Sequence, residues 1–179
     1  HGRLLPISVN VSARQLLNTQ FSASHWAAQL DALGLPRQAL SMEITESTLV
    51  EDSQRVRDCL TGFSRQGIEV ALDDFGTGFS SLAYLKRFDI DYLKIDISFV
   101  RGLEHDNNDQ AIVEAIIEMA HRLGMQTIAE GVETAAQRDL LQALHCDYAQ
   151  GYLFSRPLPL QEFEQFLLAA GDRAALLAP

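Results

Sequence analysis

The sequence of 179 residues predicts an α/β fold, a (β/α) barrel of the TIM type, on three observations. Six short apolar runs alternate with stretches of helical periodicity. Polar residues with chemical potential stand at the carboxyl end of every run, where barrels place their chemistry, and not at one run alone. The first run reads Val9-Asn10-Val11-Ser12, which lacks the glycine-rich phosphate turn that opens many doubly wound sheets.

The runs cover residues 7–11, 40–44, 68–72, 92–95, 126–129 and 147–150. Their centres lie 33, 28, 23, 35 and 20 residues apart, the cadence of βα units joined into a parallel sheet. Between the second and third runs, Val56, Cys59, Leu60 and Phe63 recur at helical spacing and Gly67 stops the pattern. Between the fourth and fifth, Ile112, Val113, Ile116, Ile117, Ala120 and Leu123 form an inward stripe. That helix is entered through Asn107-Asn108-Asp109 and closed by Gly124. Thr134 predicts the cap of a helix with Leu140, Leu141 and Leu144 inward. Pro159 suits the first turn of the last helix, with Phe163, Phe166 and Leu167 inward and Gly171 at its end.

No repeat, linker or low-complexity segment divides the chain, so residues 1–179 read as one domain. Six units fall short of the roughly 250 residues of a typical barrel, and the chain opens on His1-Gly2-Arg3 without a methionine. The expectation is a domain truncated at its N-terminus, with about two βα units missing. A net charge of −10 disfavours a nucleic-acid polymer as partner, yet admits a small anion held through cations. No apolar run approaches the roughly 20 residues of a membrane span, and no signal-peptide pattern opens the chain. The isolated Cys59 and Cys146 suit free thiols. Together these features predict a cytoplasmic domain, whether or not its parent protein is anchored in a membrane.

At the run ends stand Asn10, Glu43, Asp73 with Asp74, Lys94 with Asp96, Glu130 with Glu133, and Gln150. Any one of them alone reads as a helix cap or a solvated loop residue. Asp74 could open a turn with Gly76, and Glu133 could favour the helix starting at Thr134. Taken together, the carboxylates would repel one another at a barrel mouth unless protonated or bridged by cations. Carboxylate and amide oxygens suit hard cations such as Mg²⁺ or Mn²⁺. The five histidines form no HxxxH pair and follow no strand, which argues against zinc. Two cations about 3.5–4 Å apart clamp the attacking and leaving oxygens of a phosphoryl displacement. Lys94 adds a fixed positive charge for a water or a phosphate oxygen.

The ordered set Asn10-Val11-Ser12, Glu43-Ile44-Thr45-Glu46-Ser47, Asp73-Asp74-Phe75-Gly76-Thr77-Gly78, Lys94-Ile95-Asp96, Glu130-Gly131-Val132-Glu133 and Gln150-Gly151-Tyr152 resembles the motifs of EAL domains over essentially the whole chain. The resemblance implies hydrolysis of cyclic di-GMP to linear pGpG with two Mg²⁺ or Mn²⁺ ions, calcium being inhibitory. It implies Asn10, Glu43 and Asp73 as ligands of a first metal, and Asp73, with Asp74 and Glu130 nearby, at a second. Glu130 becomes the candidate base and Lys94 the residue that positions the water, with Asp74 beside them. Asn10, Asp96, Gln150 and Pro157 fall on the substrate side.

By the same resemblance, Glu46 anchors the loop 74–80 and Glu133 supports the site. That loop and the segment 81–88 would couple metal binding to a homodimer. Sensory or GGDEF domains are expected in the parent protein. The Glu-Ala-Leu signature, whose glutamate is a further ligand of the first metal, is absent and is expected on the missing N-terminal strands. A degenerate EAL domain that binds cyclic di-GMP without cleaving it is the alternative, although such domains usually lose several strand-end acids. An enolase-type lyase is a third reading, disfavoured because Lys94-Ile95-Asp96 shows no Lys-x-Lys pair.

Overall fold

The computed structural model describes residues 4–50, 54–78, 85 and 87–170. Six strands form one sheet: β1 (Ile7–Asn10), β2 (Leu40–Thr45), β3 (Glu69–Phe75), β4 (Tyr92–Ile95), β5 (Gln126–Ala129) and β6 (Tyr148–Ala149). Their order in space is their order in sequence, and each pairs in parallel with the next. A doubly wound sheet reverses its strand order at a switch point. This sheet never reverses, which is the progression of a barrel wall.

Among the described residues the helices are α1 (Ala13–Leu17), α2 (Ala23–Ala32), α3 (Glu46–Val50), α4 (Gln54–Gln66), α5 (Ile97–Gly102), α6 (Asn107–Arg122), α7 (Ala135–Ala143) and α8 (Leu160–Ala170). Local chemistry sets their starts. Ser12 with Gln15 and Thr134 with Gln137 form capping boxes for α1 and α7, and Ser22 caps α2. Gly67 and Gly124 follow α4 and α6 with φ of +72° and +81°, a left-handed stop that favours glycine.

The sheet has two unlike faces because strand side chains alternate. On one face Met42, Ile44, Val70, Leu72, Leu93, Ile95 and Ala129 are buried in the main core with Leu16 of α1, Phe63 of α4, Val113 and Ile117 of α6 and Leu141 of α7. The other positions of the same strands include Glu43, Ala71, Asp73, Tyr92, Lys94 and Ile128, and this face is the barrel interior. There Ala71, Tyr92 and Ile128 make a second small cluster with Tyr148 packed against it.

Three helix details depart from the sequence reading. Asp106, not the cluster 107–109, caps α6, its side chain accepting from the Asn108 N–H. Ile112 and Leu123 are 40% and 43% exposed, because Val113, Ile116, Ile117 and Ala120 already occupy the buried stripe of α6 and those two flank it. Phe163 of α8 is exposed, while Phe166 and Leu167 are half-buried. Gly171 lies outside the described residues.

Candidate active site at the strand ends

The apolar alternation puts Met42, Ile44, Val70, Leu72, Leu93 and Ile95 outward, so Glu43, Asp73 and Lys94 must point inward. Register then sets their neighbours. Asn10 pairs with Glu43, and Thr45 pairs with Asp73. Glu130 follows the last residue of β5 and donates its backbone N–H to the Ile95 carbonyl at 3.1 Å.

The end of β3 is irregular in a useful way. Its register with β4 shifts between Leu72 and Phe75, and Asp74 has a φ of +56°. In a regular strand Asp73 and Asp74 would face opposite sides. A bulge re-aims side chains, and here Asp73, Asp74 and Glu130 offer carboxylate oxygens all within 4.8 Å of one another. The left-handed Asp74 is a strained position of the sort that collects at functional sites.

Lys94 is 4% exposed and binds three acids from three other strands. Its Nζ lies 2.7 Å from Glu130 Oε1, 2.9 Å from Asp73 Oδ1 and 3.2 Å from Glu43 Oε2. Burial alone would lower its pKa, but the hydrogen bond and charge of Glu130, followed by Asp73 and Glu43, hold it above the usual lysine value. Glu130 is pushed up by burial; Lys94 offsets part of this, and Asp73 and Glu43 add to it. Asp74 is pushed up by burial and then by Asp73 and Asp96. One ammonium therefore contacts three carboxylates with Asp74 a fourth nearby, and the surplus negative charge on oxygen donors fits hard divalent cations.

Glu46, the first residue of α3, is 7% exposed. Its Oε2 accepts the Gly76 N–H at 3.4 Å, and its Oε1 is buried without a partner among the described residues. A Cβ at Gly78 would come within 2.8 Å of Oε1, so the loop backbone lies directly on this carboxylate. Gly76 itself has a φ of +99° and leaves no space for a side chain against Phe99.

The remaining predicted residues sit further out. Asp96 caps α5, its Oδ1 accepting the Ser98 N–H at 2.8 Å. Gln150 is exposed just after β6, its backbone tied to Ala129 and Val132 at 2.8 Å and 3.0 Å. Pro157 is exposed on the way to α8. Glu133 has an exposed side chain, and its backbone N–H donates to Gln137 Oε1 at 2.8 Å. Of the segment 81–88, only Leu85, Arg87 and Phe88 are among the described residues.

Three further residues share the inner face without having been singled out by the motifs. Thr45 shares the inner face with Glu43, and its hydroxyl bonds those of Ser47 and Thr48 at 2.9 Å and 3.2 Å. Tyr92 and Tyr148, with ring centroids 6.1 Å apart, belong to the small inner cluster. Parity with Glu43 for Thr45 and with Lys94 for Tyr92 was the available signal.

The EAL domain family matches residues 1–157. The chain belongs to that family. This EAL domain is 44% identical over 140 residues to the cyclic di-GMP phosphodiesterase NbdA of Pseudomonas aeruginosa, covering 78% of this chain and 18% of that protein. The structure of the MucR phosphodiesterase of P. aeruginosa in complex with cyclic di-GMP superposes with a TM-score of 0.81 at 40% identity, over 88% of this chain and 64% of that one. Klebsiella pneumoniae BlrP1 with manganese and cyclic di-GMP superposes with a TM-score of 0.78 at 32% identity, over 86% of this chain and 39% of that one. BlrP1 has also been solved with calcium and cyclic di-GMP, so its divalent ions vary. The chain spans about a fifth of the length of the curated relatives it matches. Its sequentially ordered parallel strands are those of the TIM-like EAL barrel.

Proposed function

We propose that this EAL domain hydrolyses cyclic di-GMP to linear pGpG, using two magnesium or manganese ions. The observation that carries this reading is the convergence of Glu43, Asp73 and Glu130 on the single buried ammonium of Lys94, with Asp74 beside them and negative charge left over. Asn10, Glu43 and Asp73 would hold one ion, and Asp73, Asp74 and Glu130 the other. Ions bound there supply Lewis acidity at the phosphate and lower the pKa of the attacking water. Lys94 holds that water or a phosphate oxygen, and Glu130 accepts the proton as the water oxygen joins phosphorus and one ring P–O bond breaks. Asn10, Asp96, Gln150 and Pro157 lie on the substrate side, and Glu133 supports the loop that carries Glu130.

The family names and the cyclic di-GMP complexes of the relatives support this substrate. A non-hydrolysing receptor is less well supported, because each strand-end acid named above is present. In the whole protein, two further βα units before β1 would complete the barrel and bring the Glu-Ala-Leu glutamate; Ile7, at the edge of the sheet, is 66% exposed. We place the domain in the cytoplasm, paired with a second copy through the segment 81–88 and joined to sensory or GGDEF domains. The test is turnover by the full-length protein, followed as pGpG release. Release is expected with Mg²⁺ or Mn²⁺ and none after chelation. Metal-independent release would sink the proposal.

Glu46 makes a separate prediction. Removing its carboxylate frees the Gly76 to Gly78 backbone that it holds. Glu46→Ala is therefore expected to shift activation by Mg²⁺ to higher concentration by about tenfold, roughly 1.4 kcal/mol. An unchanged titration would reduce Glu46 to a helix-start acid.

A further inference from the structure

A cavity of about 280 Å³ lies in the helical layer, between the start of α2 and one side of α4. None of the strand-end residues lines it. Its charged lining consists of Arg55, Arg65 and Asp58, and Ser22 and Ser24 also line it, the Ser22 hydroxyl accepting the His25 N–H as the cap of α2. Among the described residues three arginines pair with acids: Arg37 with Asp31, Arg122 with Glu118 and Arg138 with Asp139. The two cavity arginines do not. Arg55 gives Nη2 to the carbonyls of Asn18 and Phe21 at 2.9 Å and 3.2 Å, and its Nε is buried with no partner among the described residues. Arg65 has no ion pair or hydrogen bond among the described residues. Asp58 is engaged by Gln54 Nε2 at 2.7 Å.

Two guanidinium groups against one carboxylate make this a locally positive hollow in a chain of net charge −10. Guanidinium forks and serine hydroxyls are the donors that oxyanions accept from. The geometry points to a second binding site here, for a small oxyanion such as phosphate or the phosphate group of a metabolite. Its place in the helical layer makes it independent of the metal-holding carboxylates.

The site contains its own reporter. Phe21 lines the cavity and meets the ring of Trp26 edge-on at 6.1 Å, and Trp26 is the single tryptophan of the chain. The experiment titrates the full chain with inorganic phosphate at constant ionic strength, in buffer stripped of divalent ions by a resin. Trp26 fluorescence and calorimetry are read together. Saturable binding is expected with half-saturation at about 1 mM or below. Arg65→Gln, which removes a side chain without a folding partner, should weaken it by at least about tenfold. Arg122→Gln, at an arginine paired on α6, should leave it unchanged. Heat lost with Arg65→Gln supports the site whether or not Trp26 responds. No saturation by either readout, or equal affinity in the two variants, overturns it. No turnover is needed, so this failure would leave the hydrolase reading standing.

Discussion

Asp73→Ala is expected to lower the turnover of cyclic di-GMP by at least about a thousandfold, some 4 kcal/mol of transition-state stabilisation. In the proposed arrangement Asp73 is the acid that both ions share. It faces Lys94 at 2.9 Å, and its carboxylate lies within 4.8 Å of those of Asp74 and Glu130. A carboxylate shared between two cations cannot be lost without disturbing both, whereas a ligand of one ion leaves the other in place. Folding should not suffer. Removing one of four acids around one ammonium relieves repulsion, so the metal-free variant should be at least as stable as wild type. Activity within about tenfold of wild type, roughly 1.4 kcal/mol, would count against a shared ligand at this position.

Lys94→Met should show the opposite balance. Its ammonium is the one cation that Glu43, Asp73 and Glu130 all contact among the described residues. Methionine fills a similar volume but leaves three part-buried carboxylates facing one another. Breaking a buried charge cluster in this way costs about 3–5 kcal/mol, and for a chain of this size each kcal/mol moves Tm by roughly 2–4 °C. The metal-free variant should therefore unfold markedly earlier than wild type at neutral pH. The sign with pH is fixed by Glu130 and Asp74, whose carboxyls are held above their usual values. A folded state that binds protons more readily than the unfolded one loses stability as pH rises, so the deficit of Lys94→Met should shrink on acidification. Added Mn²⁺ should also recover part of it, by replacing the missing charge. Thermal unfolding with and without metal checks this. A metal-free variant as stable as wild type would mean that Lys94 does not neutralise the cluster.

Much of this site was legible in the sequence because strand parity is strict. Once Met42, Ile44, Val70, Leu72, Leu93 and Ile95 are apolar, the acids and the lysine between them have only the interior to face. The order of the strands followed from the spacing of the runs. What escaped depended on tertiary contact or on weak local signal. The third run reads as ending at Leu72, yet β3 continues to Phe75 through a bulge that two consecutive acids disguise as a loop. The buried side of α2 is Ala23, Ala27 and Leu30, a stripe of mostly small residues that scarcely registers as periodic. Leu16 of α1 is fully buried, but a helix of five residues is too short to show a period. The three acids that hold Lys94 stand at or just after the ends of three other strands, a convergence that spacing along the chain does not show. In α6 the apolar run is wider than the stripe the sheet can cover, which left Ile112 and Leu123 at the margin.

The central claim is that two cations share the strand-end carboxylates beside the scissile phosphate. Anomalous scattering from manganese, in crystals of the full-length protein grown with cyclic di-GMP, tests it most directly. The account predicts two peaks about 3.5–4 Å apart, both within ligand distance of Asp73, one flanked by Asn10 and Glu43 and the other by Asp74 and Glu130. A single peak, or two peaks that do not share Asp73, would contradict it.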